Sequence, residues 1–208
     1  MNKKEIAEIL LDIGAVILRP NEPFIFTSGI KSPIYCDNRL LMSHVEERRE
    51  IIDSFEELLK EKGVAFDVIA GTATAGIPHA AWLSERENSK MIYVRSSKKG
   101  HGKENKIEGV LQKDQKVLVV EDLVSTGGSS IEAVQSVRDA GGIVDYCIAI
   151  FTYGLEKAEK RFDEADCNLI TLTDFETLIE TALERGDISK VEKKELEKWQ
   201  SDPDNWMK

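Results

Sequence analysis

Hydrophobic and polar positions alternate with two periods along this chain, and the switch between them sets out the fold. In MNKKEIAEILLDIGAVILRP the apolar positions are interrupted by Glu5, Glu8 and Asp12. Residues 3–13 therefore read as an amphipathic helix, and the stretch lacks the unbroken apolar core of a signal peptide. FIFTSGIKSPIYC, residues 24–36, is rich in strand formers but broken by Gly29 and Pro33, which predicts short strands and a loop. Ser43-His44-Val45-Glu46 has the spacing of a capping box. The helix it opens runs to about Lys62, with Gly63 as a left-handed stop.

Strands and helices then alternate. Strands are expected at 67–71, 91–94, 116–122, 143–152 and 168–172, and helices at 76–87, 127–140, 155–163 and 174–184. Strand segments that are apolar on both faces, separated by helices, imply a parallel sheet covered by helices on its two sides. Ser189-Lys190-Val191-Glu192 opens a last short helix, and the tail SDPDNWMK reads as polar and loose, although Trp199 and Trp206 could dock on the body. No internal repeat or linker-like stretch interrupts the 208 residues, so a single α/β domain is expected over 1–208.

Composition narrows the partners. The net charge is −10, which disfavours a nucleic-acid binder, and no apolar run approaches a bilayer span. Cys36, Cys147 and Cys167 are odd in number and far apart. Neither a zinc knuckle nor a disulfide framework is indicated, and a reduced, cytoplasmic setting is the simplest reading.

The chemistry concentrates in VLVVEDLVSTGGSS, residues 117–130. Ligands of open α/β sheets bind beyond the carboxyl ends of the strands, and Glu121 and Asp122 stand at one such end. Ser125, Thr126, Gly127, Gly128 and Ser129 then lead into a helix, where small residues let backbone N–H groups converge on an anion. The segment has no lysine, so it is not a Walker A loop, and GxGxxG is absent. Two carboxylates beside an anion site call for a neutral or cationic partner. A sugar diol fits, and so does a magnesium-bearing ligand. A ligand with a phosphate, a diol and a metal-bound diphosphate, phosphoribosyl pyrophosphate, meets every demand. The competing reading is an acidic strand end with a flexible turn.

A second anomaly is RSSKKGHGKENK, residues 95–106, where Arg95, Lys98, Lys99, His101, Lys103 and Lys106 crowd into an acidic chain. It reads either as a solvated hairpin tip or as a basic lid closing on a polyanion such as departing pyrophosphate.

The segment 117–130 resembles the phosphoribosyl-pyrophosphate motif of type I phosphoribosyltransferases: a hydrophobic strand, two acids, variable residues, then Thr-Gly. The spacing from Arg95 through Lys99 to His101 is similar to the catalytic loop of the orotate branch, and FTSGIKSPIYCDNR resembles that branch and not the purine enzymes. The resemblance covers nearly the whole chain. It implies a mostly parallel central sheet flanked by helices (core 64–173), a small N-terminal base-binding hood (1–42) and C-terminal helices (174–208).

It further implies transfer of phosphoribosyl from phosphoribosyl pyrophosphate to orotate, in pyrimidine biosynthesis, with Lys99, His101 and Asp122 as catalytic residues. Glu121 and Asp122 would hold the ribose hydroxyls. Leu123 and Val124 would also lie against this substrate, residues 125–129 would cradle its 5′-phosphate, and Arg95, Lys99 and His101 would meet its diphosphate. Tyr35 would stack on the pyrimidine and Ser125 would touch it. Mg2+ would ride on the diphosphate and ribose, with no metal held by the protein alone. The chain would form a homodimer whose loop 95–106 reaches the neighbouring site, with no nucleic-acid or membrane partner.

GTATAGIP, residues 71–78, would be the pyrophosphate-side loop, and Lys31 serves either anion binding or as a plain surface lysine. The chain departs from the family pattern at Thr27, Ala75 and Ser96, where lysines are common, and at Thr152-Tyr153-Gly154, where some members place an arginine for the orotate carboxylate. His44 and His79 read as structural or solvated.

Overall fold

A computed structural model describes residues 1–25, 31–96 and 106–207. Helix α1 (Lys3–Asp12) opens with a reciprocal cap: the Glu5 amide donates to Asn2 Oδ1 and the Asn2 amide to Glu5 Oε2. Strands β1 (Val16–Leu18) and β4 (Ile34–Cys36) pair antiparallel, as do β2 (Phe24–Ile25) and β3 (Lys31–Ser32). A 3-10 helix (Asn38–Met42) leads to α2 (Val45–Lys62), which Gly63 ends at φ 62°. Then come β5 (Val68–Thr72), α3 (Gly76–Arg86), β6 (Lys90–Val94), β7 (Ile107–Glu108), β8 (Lys116–Val124), α4 (Gly128–Asp139), β9 (Ile143–Thr152), α5 (Glu156–Glu164), β10 (Asn168–Asp174), α6 (Phe175–Arg185) and α7 (Lys190–Ser201).

The expected alternation is present, with three additions: β1, the 3-10 helix, and β7, an antiparallel edge strand against β6. The capping box at Ser43 is not formed. Ser43 closes the 3-10 helix instead, its amide donating to Leu40 O at 2.9 Å with helical dihedrals, whereas a side-chain-capping N-cap is typically extended. His44 therefore takes the cap position of α2, and Glu46 pairs with Arg49. At the C-terminus α7 is longer than a short helix, at 12 residues, and its Ser189–Glu192 capping box is made. The tail is tied down and not loose. Trp199 is buried against Tyr153 and Phe175, and Lys31 Nζ reaches the Met207 carbonyl at 3.2 Å.

The six-stranded sheet has the order β10-β9-β8-β5-β6-β7, parallel except for β7. Alternate residues of each central strand enter opposite cores. Ile69, Leu118, Val120, Ile148 and Ile150 pack with α1, α2, α3, α6 and α7 on one face. Val68, Ala70, Val117, Val119, Cys147 and Ala149 pack with α4 and α5 on the other. This period of two on a doubly covered sheet explains why the strands read as continuous apolar runs.

From β5 the chain crosses to β6 on one side, and from β8 to β9 on the other. Neighbouring strands β5 and β8 thus diverge at their carboxyl ends, the topological switch point where such sheets bind ligands. Glycine lets α3 start flush against this point: a Cβ on Gly76 would stand 2.4 Å from the Val120 carbonyl oxygen.

Candidate active site

Strand β8 delivers the acid pair to the switch point, and the two carboxyls are not equivalent. Glu121 is 5% exposed. Its Oε1 accepts from the Asp122 amide at 3.2 Å, and its Oε2 accepts from Ser129 Oγ at 3.2 Å and Ser130 Oγ at 3.3 Å. Asp122 is half-buried. Burial raises the Glu121 carboxyl well above the usual carboxylate range, and the Asp122 charge adds to the rise. Asp122 is also shifted upward by burial. Two carboxyls in one desolvated place favour holding a proton between them until a ligand supplies donors or positive charge.

Asn38 was not singled out by its sequence context, yet it braces this strand end. It is fully buried, and its Nδ2 donates to the Asp122 carbonyl at 2.8 Å while its Oδ1 faces Cys36 Sγ at 3.5 Å. Beside it Asp37 takes two hydrogen bonds from the Arg39 guanidinium, at 2.6 and 2.8 Å, and a third from the Arg39 amide, which hold its carboxyl below the usual range. An Asx-type residue next to a strand could have flagged Asn38, but its partner lies 84 residues away.

The anion loop follows at once. Val124 is buried at 1% exposure and Leu123 is half-buried, so Val124 belongs to the core and offers only backbone. Its carbonyl is taken by Thr152 Oγ1 at 3.2 Å and the Tyr153 amide at 3.1 Å. Ser125 is half-buried and Thr126 exposed, Gly127 turns at φ 76°, and α4 begins at Gly128. That turn aims the first amides of α4 outward, where the helix end favours an anion. Arg161 on α5 clamps the loop from outside, with Nη1 donating to Thr126 O at 2.7 Å and to Thr126 Oγ1 at 3.0 Å. Arg161 was missed in the sequence because it lies 35 residues on, in a helix with charges on every side.

On the other side of the switch point a small cavity of about 50 Å3 lies among Thr72, Ala73, Arg95, Lys106 and Ser129. Among the described residues Thr72 Oγ1 is buried there without a hydrogen-bond partner, and Arg95 Nη1 makes an ion pair with Glu108 at 3.6 Å but no hydrogen bond. Such polar atoms at a concave point can meet ligand oxygens. Lys99 and His101 lie outside the described residues, as do Lys98, Lys103 and the stretch 26–30 with Thr27 and Ser28.

Tyr35 stands on β4 opposite Ile17, its ring 5.4 Å from Phe24. Tyr153, 8% exposed, sits just beyond β9. Burial pushes its phenol well upward, and Cys36, Asp122 and Tyr35 are close enough to add to that shift. The aromatic side of the site therefore gathers hood, strand end and β9. Of the other histidines, His44 caps α2 beside Glu47, and His79 is buried edge-on to Trp82, with its ring pushed down to about 4 by burial.

The geometry agrees with what comparison finds. The family described as Phosphoribosyl transferase domain matches residues 42–184. Orotate phosphoribosyltransferase of Halalkalibacterium halodurans is 52% identical over 207 residues, covering 99% of each chain. The Bacillus cereus protein of the same name is 53% identical over 203 residues, 98% of this chain and 97% of that one. Among solved structures, orotate phosphoribosyltransferase from Aeropyrum pernix superposes with TM-score 0.76 at 28% identity, over 88% of this chain and 99% of that one.

Proposed function

The chain belongs to the phosphoribosyl transferase family, and from that premise we propose that it transfers the phosphoribosyl group of 5-phosphoribosyl 1-pyrophosphate to N1 of orotate, in pyrimidine biosynthesis. The products are orotidine 5′-phosphate and pyrophosphate. The observation that carries this reading is the acid pair joined directly to an anion loop at the β5/β8 switch point. Relatives at about half identity over nearly their full length bear the matching name.

In this reading the amides of 125–129 hold the 5′-phosphate, with Arg161 keeping the loop in shape. Asp122 accepts from a ribose hydroxyl. Glu121, held by Ser129 and Ser130, supports it from behind. Ribose donors and positive charge favour the ionised acids, so binding expels the proton that burial retains. Mg2+ fits a mouth offering hard carboxylate oxygens, and when carried in on the diphosphate it would neutralise the leaving group's charge. As the bond from C1′ to the pyrophosphate oxygen breaks, its electron pair leaves with that oxygen, while orotate N1 bonds to C1′ and its N–H proton passes to pyrophosphate or solvent. Thr72 and Arg95 stand on the leaving-group side. Lys99 and His101 are assigned to stabilise the departing charge. Tyr35 and Ser125 are assigned to the base.

The loop 95–106 is assigned to the neighbouring subunit's site in a homodimer, and the free cysteines fit a reducing, cytoplasmic setting. No helix among the described residues is long and apolar enough to cross a membrane.

Mixing the chain with orotate, phosphoribosyl pyrophosphate and magnesium should deplete orotate absorbance; an inert mixture, or faster consumption of hypoxanthine, would overturn the assignment. The shared loop has its own test. Lys99→Ala and Asp122→Asn dimers should each be nearly inactive. After random subunit exchange roughly a quarter of all sites carry neither lesion, so about a quarter of wild-type activity should return. No recovery, with exchange verified independently, would place the loop in its own subunit's site.

A further inference from the structure

Beyond the anion loop, a cavity of about 690 Å3 runs from Ser125 and Thr126 past the Tyr153–Gly154 turn to the C-terminal segment 199–204. The segment is held in place by specific contacts along its length. Gln200 Nε2 donates to the Tyr153 carbonyl at 2.8 Å. Trp199 meets the Tyr153 ring edge-on, with centroids 5.3 Å apart. Lys157 on α5 pairs with Asp204. Lys31 on the hood strand β3 reaches the Met207 carbonyl. The tail thus spans from hood to α5 across the outer side of the cavity.

The turn it holds is shaped for this arrangement. Gly154 sits at φ 61°, where a side chain is strained, and a Cβ there would come within 3.2 Å of Gln200 Nε2. The Tyr153 amide is itself bonded to Val124 O, the last residue of β8. Gln200 takes up the space that a larger residue at 154 would need, so its position and the glycine are linked.

We infer that segment 199–204 is the outer wall of the nucleobase pocket and that Gln200 is a positioning residue, setting the Tyr153–Gly154 turn against the base. The inference rests on the orotate-transfer reading and adds to it a specificity element 46 residues downstream of Gly154 in a helix outside the matched family region. Gln200 bonds the Tyr153 carbonyl, whereas the 125–129 loop has its own clamp in Arg161, so Gln200 should act mainly on orotate.

Gln200→Met keeps the volume and removes the donor. The expected result is a rise of about fivefold in KM for orotate, the size of one lost hydrogen bond, with KM for phosphoribosyl pyrophosphate unchanged and Tm lowered by no more than a few degrees. A general structural role would move both constants together, and that result would overturn the inference, as would an unchanged orotate KM. In a Trp82→Phe/Trp206→Phe background, Trp199 is the only tryptophan left. Its emission should change on titration with orotidine 5′-phosphate. A flat trace while calorimetry shows saturation would remove the wall from the pocket. A wild-type chain that binds neither orotate nor its product would instead sink the transfer reading, and this inference with it.

Discussion

The two ends of the pocket are built in opposite ways. At the phosphate end, acids, turn and helix start are contiguous: Glu121 reaches Ser129 and Ser130 eight and nine residues on, and Gly127 turns the chain between them. At the proposed base end, Tyr35, Tyr153 and Gln200 come from β4, the end of β9 and α7, and the contact from Gln200 to Tyr153 spans 47 residues. A phosphate presents the same oxygens in every substrate, so a short local motif can serve it. A base must be told from its rivals, and that takes side chains from several elements whose relative positions are adjustable. The difference suggests that binding at one end can be changed without disturbing the other.

The largest effect should come where the ends meet. Asp122→Asn keeps the fold but weakens the ribose contact, and about a hundredfold loss in kcat/KM is expected, the scale of a lost charged contact to a transition state. Near-wild-type efficiency at limiting phosphoribosyl pyrophosphate would take Asp122 out of the site. Arg161→Met should raise KM for phosphoribosyl pyrophosphate about tenfold, since charge-assisted hydrogen bonds to the loop are lost, while KM for orotate stays constant. A rise confined to orotate would reverse the comparison. Asn38→Ala tests the bridge, because Asn38 lies beside the hood and bonds the Asp122 carbonyl. Both constants should rise, by about fivefold each. A change in only one would show that Asn38 serves one end.

The smallest effect concerns stability. Glu121 has a folded-state affinity for protons raised mainly by burial. A carboxyl shifted upward contributes stability that is fully present below its unfolded pKa and is lost as pH rises through the folded value. The ligand-free chain should therefore lose stability from the ordinary carboxylate range upward through neutrality. Glu121→Gln should remove that slope and gain about 1 kcal/mol at pH 8, although its activity falls. Parallel pH–stability curves for the two proteins, followed by thermal unfolding, would show that the buried acid carries no such cost.

The sequence by itself determined the order of strands and helices, because the two hydrophobic periods are local and the stop at Gly63 and the cap at Ser189 need only neighbouring residues. It also determined the strand end with its acid pair and glycine turn, since 117–130 carries strand, acids, turn and helix start in one stretch. The failed cap at Ser43 marks the limit of local reasoning: two helices compete for one residue, and the preceding 3-10 turn wins. Tertiary structure alone decided that the two acids differ, with Glu121 buried against Ser129 and Ser130 and Asp122 half-buried. It alone brought Arg161 to Thr126, Asn38 to Asp122 and Gln200 to Tyr153. Those contacts join residues 35 to 84 positions apart, and no local pattern encodes which distant strand end a polar side chain will meet. That is settled by how the helices pack on a sheet whose order is not the order of the chain.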